Sequence, residues 1–422
     1  MCQLRIRVPD QWYGDYLAML ASARIGERRL GALVARYGVG TIRAFVAQWL
    51  DYSEQMAAAA IACLPAGRFT AVGWFDPIPA APDGLELRVE AAVDPGAGRI
   101  VVDLRDNPDC IPAGVNLSQA TATNSAIAGV LAALGPDVPV NSGSFRRIEV
   151  LLRENCVVGI PRHPTSCSVA TTLIADRLVN VTQAAFAGIG DGWGHAHGGH
   201  AMGPGFAVVS GDDPRRGGRP FINQLHIGSN GGPAGPRRDG WVTWALPVCA
   251  GLLYRDSVEI DEHKYPIRFE SVGLVADSGG AGRHRGAPTA EVVFGPRFAP
   301  VSVIYPLDGS VNPARGVVGG LDGNRAHVRK RLADGSEVGL PPISREILEV
   351  GELIVGRDCG GGGYGPPAER DPERVLQDVL EGYVTVEAAR ETYRVAFTGT
   401  PDEPGFAVDA AATRALRAAA AG

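Results

Sequence analysis

Phe69-Thr-Ala-Val-Gly-Trp-Phe75, Leu85-Glu-Leu-Arg-Val-Glu-Ala-Ala-Val93 and Arg99-Ile-Val-Val-Asp-Leu104 place apolar residues at alternate positions, with Pro, Gly and Asp between the runs. A period of two puts those side chains on one face, so the three runs predict strands joined by turns. Upstream the period is different. Leu17, Leu20, Ile25, Leu30, Leu33, Val34 and Tyr37 fall at three- and four-residue steps, and beyond Gly38 and Gly40 the pattern restarts with Ile42, Phe45, Val46, Trp49 and Leu50. Residues 13–64 therefore predict three helices, each with an apolar stripe that needs a surface to cover it. Downstream, 118–134 and 168–189 predict helices and 145–152 a strand. Residues 190–365 read as strands and glycine-rich loops without a long helix. Helices return at 372–380, where Asp371 and Pro372 supply a cap and a first turn, and at 386–393. The alanine-rich tail after Pro404 predicts a fraying end. Strands and helices do not alternate regularly enough for a doubly wound sheet. The expected class is α+β: a β-rich mixed core with glycine-rich loops, an N-terminal helical segment and a short helical C-terminal region. Its expected divisions are 1–67, 68–190, 191–355 and 356–422.

Composition narrows the function. Of 422 residues, 56 are glycine and 31 proline, yet 45% are apolar. That combination indicates a compact protein with many turns, not a disordered one. The formal charge of −6 argues against general binding of nucleic acid or anionic membranes. No apolar run has the length of a membrane span, and the charged start MCQLRIR does not resemble a signal peptide. Seven scattered cysteines without a CxxC give no disulfide framework and no cysteine metal site. A cytoplasmic location is expected.

Three segments could carry chemistry. Gly192-Trp-Gly-His195-Ala-His197-Gly-Gly-His200 places three imidazoles within six residues on a glycine-freed backbone. His195, His197 and His200 could converge on one divalent metal (Zn, Mn or Mg), with Asp191 nearby, or the loop could simply be exposed or lie at an interface. The loops 228–240 and 278–286 are glycine-rich and arginine-bearing. Amides of Gly231, Gly232, Gly279 and Gly280 could form a nest for an anion, helped by Arg237 and Arg238, or these could be tight turns where backbones approach closely. The third, Asp358-Cys-Gly-Gly-Gly-Gly-Tyr364-Gly-Pro-Pro, must be held against something, because ordering that much glycine is costly. Cys359 there has no evident base to make it a nucleophile. Asn116 could face a site or cap a turn.

Taken together, these segments resemble the hydantoinase B/oxoprolinase family. The likeness is carried by Asp277-Ser-Gly-Gly-Ala-Gly-Arg-His-Arg-Gly286 and by the Gly-Gly-Gly-Gly-Tyr364-Gly-Pro-Pro run with its following Arg-Asp-Pro-Glu-Arg-Val and Asp-Val-Leu-Glu-Gly-Tyr-Val-Thr. Gly26-Glu-Arg-Arg-Leu30 and Pro139-Val-Asn-Ser-Gly143-Ser-Phe-Arg-Arg-Ile-Glu149 are similar to further family segments, so the resemblance runs from about residue 13 to 395. It implies a B-type subunit of a hydrolase acting on a cyclic amide or imide. An A-type partner with ATP and Mg would phosphorylate the amide oxygen, and water would then attack. Asp191, Asn116 and Arg283 become catalytic candidates, with Arg283 and the Arg237–Arg238 pair available to an anionic intermediate. The resemblance leaves two alternatives, a subunit of an acetone-type ATP-dependent carboxylase and a non-catalytic scaffold. Family members also carry an Asn-Asp-Pro segment followed by a Gly-Thr-His-x-x-Asp-type segment that supplies metal ligands. No counterpart is found here, which leaves three alternatives: a separate polypeptide supplies that region, the site is rebuilt with a different metal set, or it is catalytically degraded.

Overall fold

The computed structural model describes the chain except Arg7, Ala201, Ala250, Ala421 and Gly422. Two helices open it, α1 (Pro9–Tyr37) and α2 (Val39–Ala62). Gly38, at φ +79°, ends the first and starts the second, whereas Gly40 lies inside α2. There are thus two helices where the sequence predicted three, because an isolated glycine costs a helix only about 1 kcal/mol. The C-terminal half of α2 buries Ser53, Ala57 and Ile61, while α1 buries none of its residues. Its stripe, including Tyr13, Leu17, Leu20, Leu30 and Leu33, remains exposed. Among the described residues no single helix is long and apolar enough to cross a membrane; α1 and α2 meet that test only as a pair bent by 105°.

The alternating runs form a four-stranded sheet, β1 (Gly67–Phe75), β2 (Leu85–Asp94), β3 (Arg99–Asp103) and β4 (Ile148–Leu151), in that order. The first three are antiparallel, and β4 pairs parallel to β3. The chain between them forms α3 (Gln119–Leu134), which Ser118 caps by accepting from the Thr121 amide. The one-turn helix α4 (Ser142–Phe145) shortens the strand predicted from 145. Asn141 accepts from the Gly143 amide at 2.8 Å, and a Cβ at Gly143 would run into the Leu50 carbonyl of α2. A helix buried at every position but Ala184, α5 (Ile174–Ala187), packs with α3 against this sheet; a short 3₁₀ turn at Ala170–Thr172 occupies the start of the predicted helix.

The second half is β-rich. Strands β5 (Val208–Asp213) and β6 (Arg219–Gln224) are followed by a short helix α6 (Val258–Lys264). Then come β7 (Ile267–Leu274), β8 (Ala290–Pro296), β9 (Val301–Pro306), β10 (His327–Arg331), β11 (Glu337–Gly339), β12 (Ile343–Leu348) and β13 (Leu353–Arg357). They sort into a five-stranded sheet, β11-β10-β13-β8-β7, and a four-stranded sheet, β12-β9-β5-β6, which share one apolar core. The C-terminal helices are α7 (Pro372–Leu380), α8 (Val386–Glu391) and α9 (Ala410–Ala420). The last corrects the expected fraying. Asp409 caps it through the Ala411 and Ala412 amides, and Thr413 accepts from the Ala396 amide at 3.0 Å.

A buried polar brace joins the two halves. Arg177 of α5 donates to both oxygens of Asp308 at 2.6 and 2.9 Å and to the Asn312 carbonyl at 2.6 Å. Asp76, just past β1, accepts from the amides of Ser310, Val311 and Asn312. With Arg177 and Asp76 1% exposed and Asp308 fully buried, every charge needs these partners, and losing one would leave another uncompensated.

Candidate functional site

The glycine-rich loops lace together through their own backbones. The Gly231 amide donates to the Cys359 carbonyl, Gly232 to Trp241, Gly280 to Gly361, Gly361 to Ala287 and Ala287 back to Gly232. A Cβ at Gly231, Gly280 or Gly361 would overlap the backbone of a neighbouring loop, so no side chain could stand there. The amides of Gly231, Gly232 and Gly280 are therefore already spent, and Gly279 is pressed against the Gly286 carbonyl. All four positions are close backbone contacts, and three of their amides already donate to carbonyls of neighbouring loops.

Side chains return where the stack meets α3, and there they frame a cleft of about 710 Å³. One wall is apolar. It comes from the last two turns of α3 (Ala128, Leu131, Leu134), which Gly135 ends at φ +94°, and from Val138 and Val140 beyond it. Trp193 and His195 also line it, and Pro236, Arg237 and Arg238 contribute an arginine edge. Tyr364 sets the Trp193 loop. Its buried hydroxyl accepts from the Gly192 and Trp193 amides at 2.9 and 3.1 Å and donates to the Trp193 carbonyl at 2.9 Å. The arginine edge is a turn closed by the Gly235 amide on the Arg238 carbonyl at 3.0 Å. Asp239 anchors it by accepting from Arg370 at 2.6 and 2.9 Å and from the Arg285 amide at 2.9 Å. Neither Tyr364 nor Asp239 stood out as a site residue in the sequence. The available signal was a lone hydroxyl-bearing aromatic ending a glycine run, and a lone acid following two arginines.

His195 lies across Gly235, where a Cβ would fall 2.7 Å from its Cδ2 and 3.0 Å from its Nε2. Its Nδ1 is buried without a partner. Burial first, then the positive charges of Arg238 and Arg237, push its pKa down to about 4, so the ring is neutral at physiological pH.

The other sequence candidates are placed elsewhere. His197 and His200 are buried outside the cleft lining, with ring centroids 6.5 Å apart. Burial and the adjacent Arg177 charge hold both well below the ordinary histidine pKa, His197 down to about 3. The Nδ1 of His200 lies 3.1 Å from the Asn180 side chain, and its Nε2 lies 3.3 Å from the Asn312 carbonyl. A guanidinium beside two hydrogen-bonded or sealed imidazoles opposes a cation, and the three histidines do not form one ligand set. Among the described residues no three His, Cys, Asp or Glu side chains come together as a metal site, so the divalent metal the family resemblance implies does not fit this chain's own donors. Asn116 is fully buried and spent on backbone, accepting from Ile111 and donating to Ile111, Ala113 and Ser166; it staples a turn. Asp191 and Arg283 bind each other near the surface, and Arg283 also reaches Glu369 at 3.0 Å, which leaves its charge compensated. Cys359 is buried and its thiol is pushed up to about 12, a form with no nucleophilic character. Of the sequence candidates, the structure brings His195, Arg237 and Arg238 to one cleft.

A profile of the hydantoinase B/oxoprolinase family matches residues 1–367. The chain belongs to that family. Among the relatives of this hydantoinase B chain is the caprolactamase subunit beta of Pseudomonas jessenii, 27% identical over 417 residues, which cover 96% of this chain and 69% of the relative. Another is the acetophenone carboxylase delta subunit of Aromatoleum aromaticum, 24% identical, with 92% of this chain and 61% of that one covered. The crystal structure of the ATP-dependent caprolactamase from Pseudomonas jessenii superposes with a TM-score of 0.80 at 23% identity, covering 98% of this chain and 70% of the solved one. That likeness establishes the α+β fold the sequence predicted.

Proposed function

We propose that this chain is the B-type subunit of an amidohydrolase that opens a cyclic amide or imide, with an A-type, ATP-binding subunit activating the substrate. Family membership supports the subunit type, and the resemblance to a caprolactamase subunit along nearly the whole chain supports the cyclic amide. The observation that carries the reading is the cleft, whose lining combines the apolar side chains of α3 and the 138–140 segment with two arginines and a neutral imidazole. Phosphorylation of the amide oxygen weakens C–N resonance and adds negative charge, which an arginine edge would favour. The chain's residues would then orient the ring and neutralise the anion. The exposed stripe of α1 is the surface we assign to a partner, and a metal, where one is used, would take its ligands from a partner polypeptide.

The test is reconstitution with an ATP-binding partner subunit and a lactam such as caprolactam, following ADP release and the free amine. ATP-dependent ring opening that requires both chains is expected. Turnover by the purified chain alone without ATP would overturn the scheme. A carboxylase reading has support from the acetophenone carboxylase relative, and incorporation of labelled bicarbonate in the same reconstitution would favour it. A scaffold role is favoured by the lack of a three-donor set among the described residues, and full activity of the partner without this chain's cleft residues would establish it.

A further inference from the structure

Charge compensation is nearly complete around the cleft, except at its edge. Arg283 is paired with Asp191 and Glu369, Arg285 with Asp378, and Arg370 with both Asp239 and Asp378. Asp239 is the acid nearest in sequence to the arginine edge, yet its oxygens are turned to Arg370 and the Arg285 amide. Arg237 and Arg238 are exposed and, among the described residues, make no ion pair, and the described cleft lining contains no aspartate or glutamate. With His195 neutral, the cleft carries two uncompensated positive charges against an otherwise apolar wall. Its volume lies in the range of small-ligand sites.

We propose that this cleft is a subsite for an oxyanion carried on a short aliphatic body, with Arg237 and Arg238 holding the anionic oxygens and Leu131, Leu134, Val138 and Trp193 packing the aliphatic part. A guanidinium pair matches a planar two-oxygen anion, since each fork presents parallel N–H donors. The apolar wall, more extensive than the charged edge, selects a carboxylate on a hydrocarbon chain over a bare inorganic anion. This deepens the ring-opening reading and rests on it for the identity of the ligand. Opening the phosphorylated amide consumes two waters. The first adds to the carbon and the C–N bond breaks with its electron pair on nitrogen; the second displaces the phosphoryl group. The products are a carboxylate, an ammonium group and inorganic phosphate, with the former ring as the aliphatic chain between the two ends. The cleft then holds the carboxylate end of the opened product.

The experiment is titration calorimetry on the full chain with three probes: hexanoate, hexanamide and inorganic phosphate. Hexanoate should bind, with hexanamide and phosphate each at least tenfold weaker. An Arg237→Gln/Arg238→Gln double variant should lose tenfold or more for hexanoate. Val140→Asp, which adds a negative charge at an exposed rim position, should weaken it without threatening the fold. Arg219→Gln, at an exposed arginine on β6, should leave binding unchanged. Equal affinity for hexanoate and hexanamide, or undiminished binding by the double variant, overturns the anionic half. Phosphate binding as tightly as hexanoate overturns the aliphatic half. Lactam turnover by the reconstituted complex without hexanoate binding in the cleft would sink this subsite and leave the proposed reaction standing. Hexanoate binding without ATP-dependent turnover would do the reverse.

Discussion

Tyr364→Phe isolates the contribution of one hydroxyl to the cleft. The ring is fully buried and phenylalanine keeps its shape, so no cavity opens. The variant loses three hydrogen bonds, from the Gly192 amide, from the Trp193 amide and to the Trp193 carbonyl. At a net ~0.5–1.5 kcal/mol each, the loss spans roughly 1.5–4.5 kcal/mol. Gly192 is exposed and Trp193 half-buried, so water replaces part of what is removed and the lower half of that range applies. A local cost of about 2 kcal/mol corresponds to roughly a 30-fold rise in the open population of the loop. Global unfolding is the wrong assay, because a loop can open without the sheets. Hydrogen exchange at the 192–195 amides is the right one, with β5 amides as the internal reference. The expected result is exchange faster by one to one and a half orders of magnitude in the loop and unchanged in β5, with weaker hexanoate binding as Trp193 loses its fixed position. Loop protection within threefold of the unmodified protein would refute the assignment of Tyr364 as the residue that positions Trp193.

Three further outcomes follow from particular contacts. Gly235→Ala places a methyl 2.7 Å from His195 Cδ2 and must tilt the imidazole; hexanoate affinity should fall severalfold with an unchanged circular dichroism spectrum, and unaltered affinity would remove His195 from the cleft's binding surface. Burial pushes Asp176 up to about 8, above the 3.8 of an unperturbed side chain, so the folded state binds a proton that the unfolded chain has released. Its contribution is destabilising, develops above pH ~4 and is complete near pH 8, on the order of several kcal/mol. Asp176→Asn, which keeps an acceptor for the Val248 amide, should flatten the fall in urea midpoint between pH 5 and pH 8, and parallel curves would contradict this. Finally, Leu20→Asp with Leu30→Asp on α1 should leave the stability of the isolated chain unchanged, since α1 buries nothing, and should abolish co-purification with an ATP-binding partner; retained co-purification would place the partner elsewhere.

Local signals in the sequence were faithful where a segment's environment is set by its own neighbours. The period-two runs became β1 to β3, Ser118 capped α3 and Asp371 with Pro372 opened α7. Misreadings arose where distant contacts decide. Residues 142–145 wind into a turn because α2 lies against Gly143, and α9 is ordered because Thr413 reaches Ala396 and Arg417 reaches the Arg370 carbonyl. The histidine cluster shows the same limit at the site. Its spacing is compatible with a metal, but spacing does not reveal that Arg177, from α5, lies beside His197 and His200. The arginine edge and His195 were legible as polar groups on glycine-rich loops. Their apolar counterpart was not, because the end of α3 reads only as a helix until the fold brings it into the same cleft as Trp193.

The glycine stack itself constrains where chemistry can occur. Gly231 abuts Ala287 and the 360–361 backbone, Gly361 abuts Gly232, and Gly286 abuts Gly361 and Gly362, all at separations that exclude a Cβ. Neighbouring loops that close leave no room for a ligand between them, and the amides of Gly231, Gly232, Gly280 and Gly361 already donate to backbone carbonyls, so the interior of the stack is scaffold. A rigid scaffold of this kind still has consequences for a site, because every loop emerging from it inherits a fixed starting point. Two do so at the cleft. The 192–195 loop is held by Tyr364, which belongs to one glycine run, and the 236–238 turn is held by Asp239 through Arg285, which belongs to another. Motifs far apart in sequence thereby converge on a single function, namely fixing the aromatic and arginine sides of one cleft. On this view the glycines most diagnostic of the family need not touch a substrate. Substituting one should perturb the cleft through the position of Trp193 or of the arginine edge, and the two routes are separable because Tyr364→Phe loosens only the first.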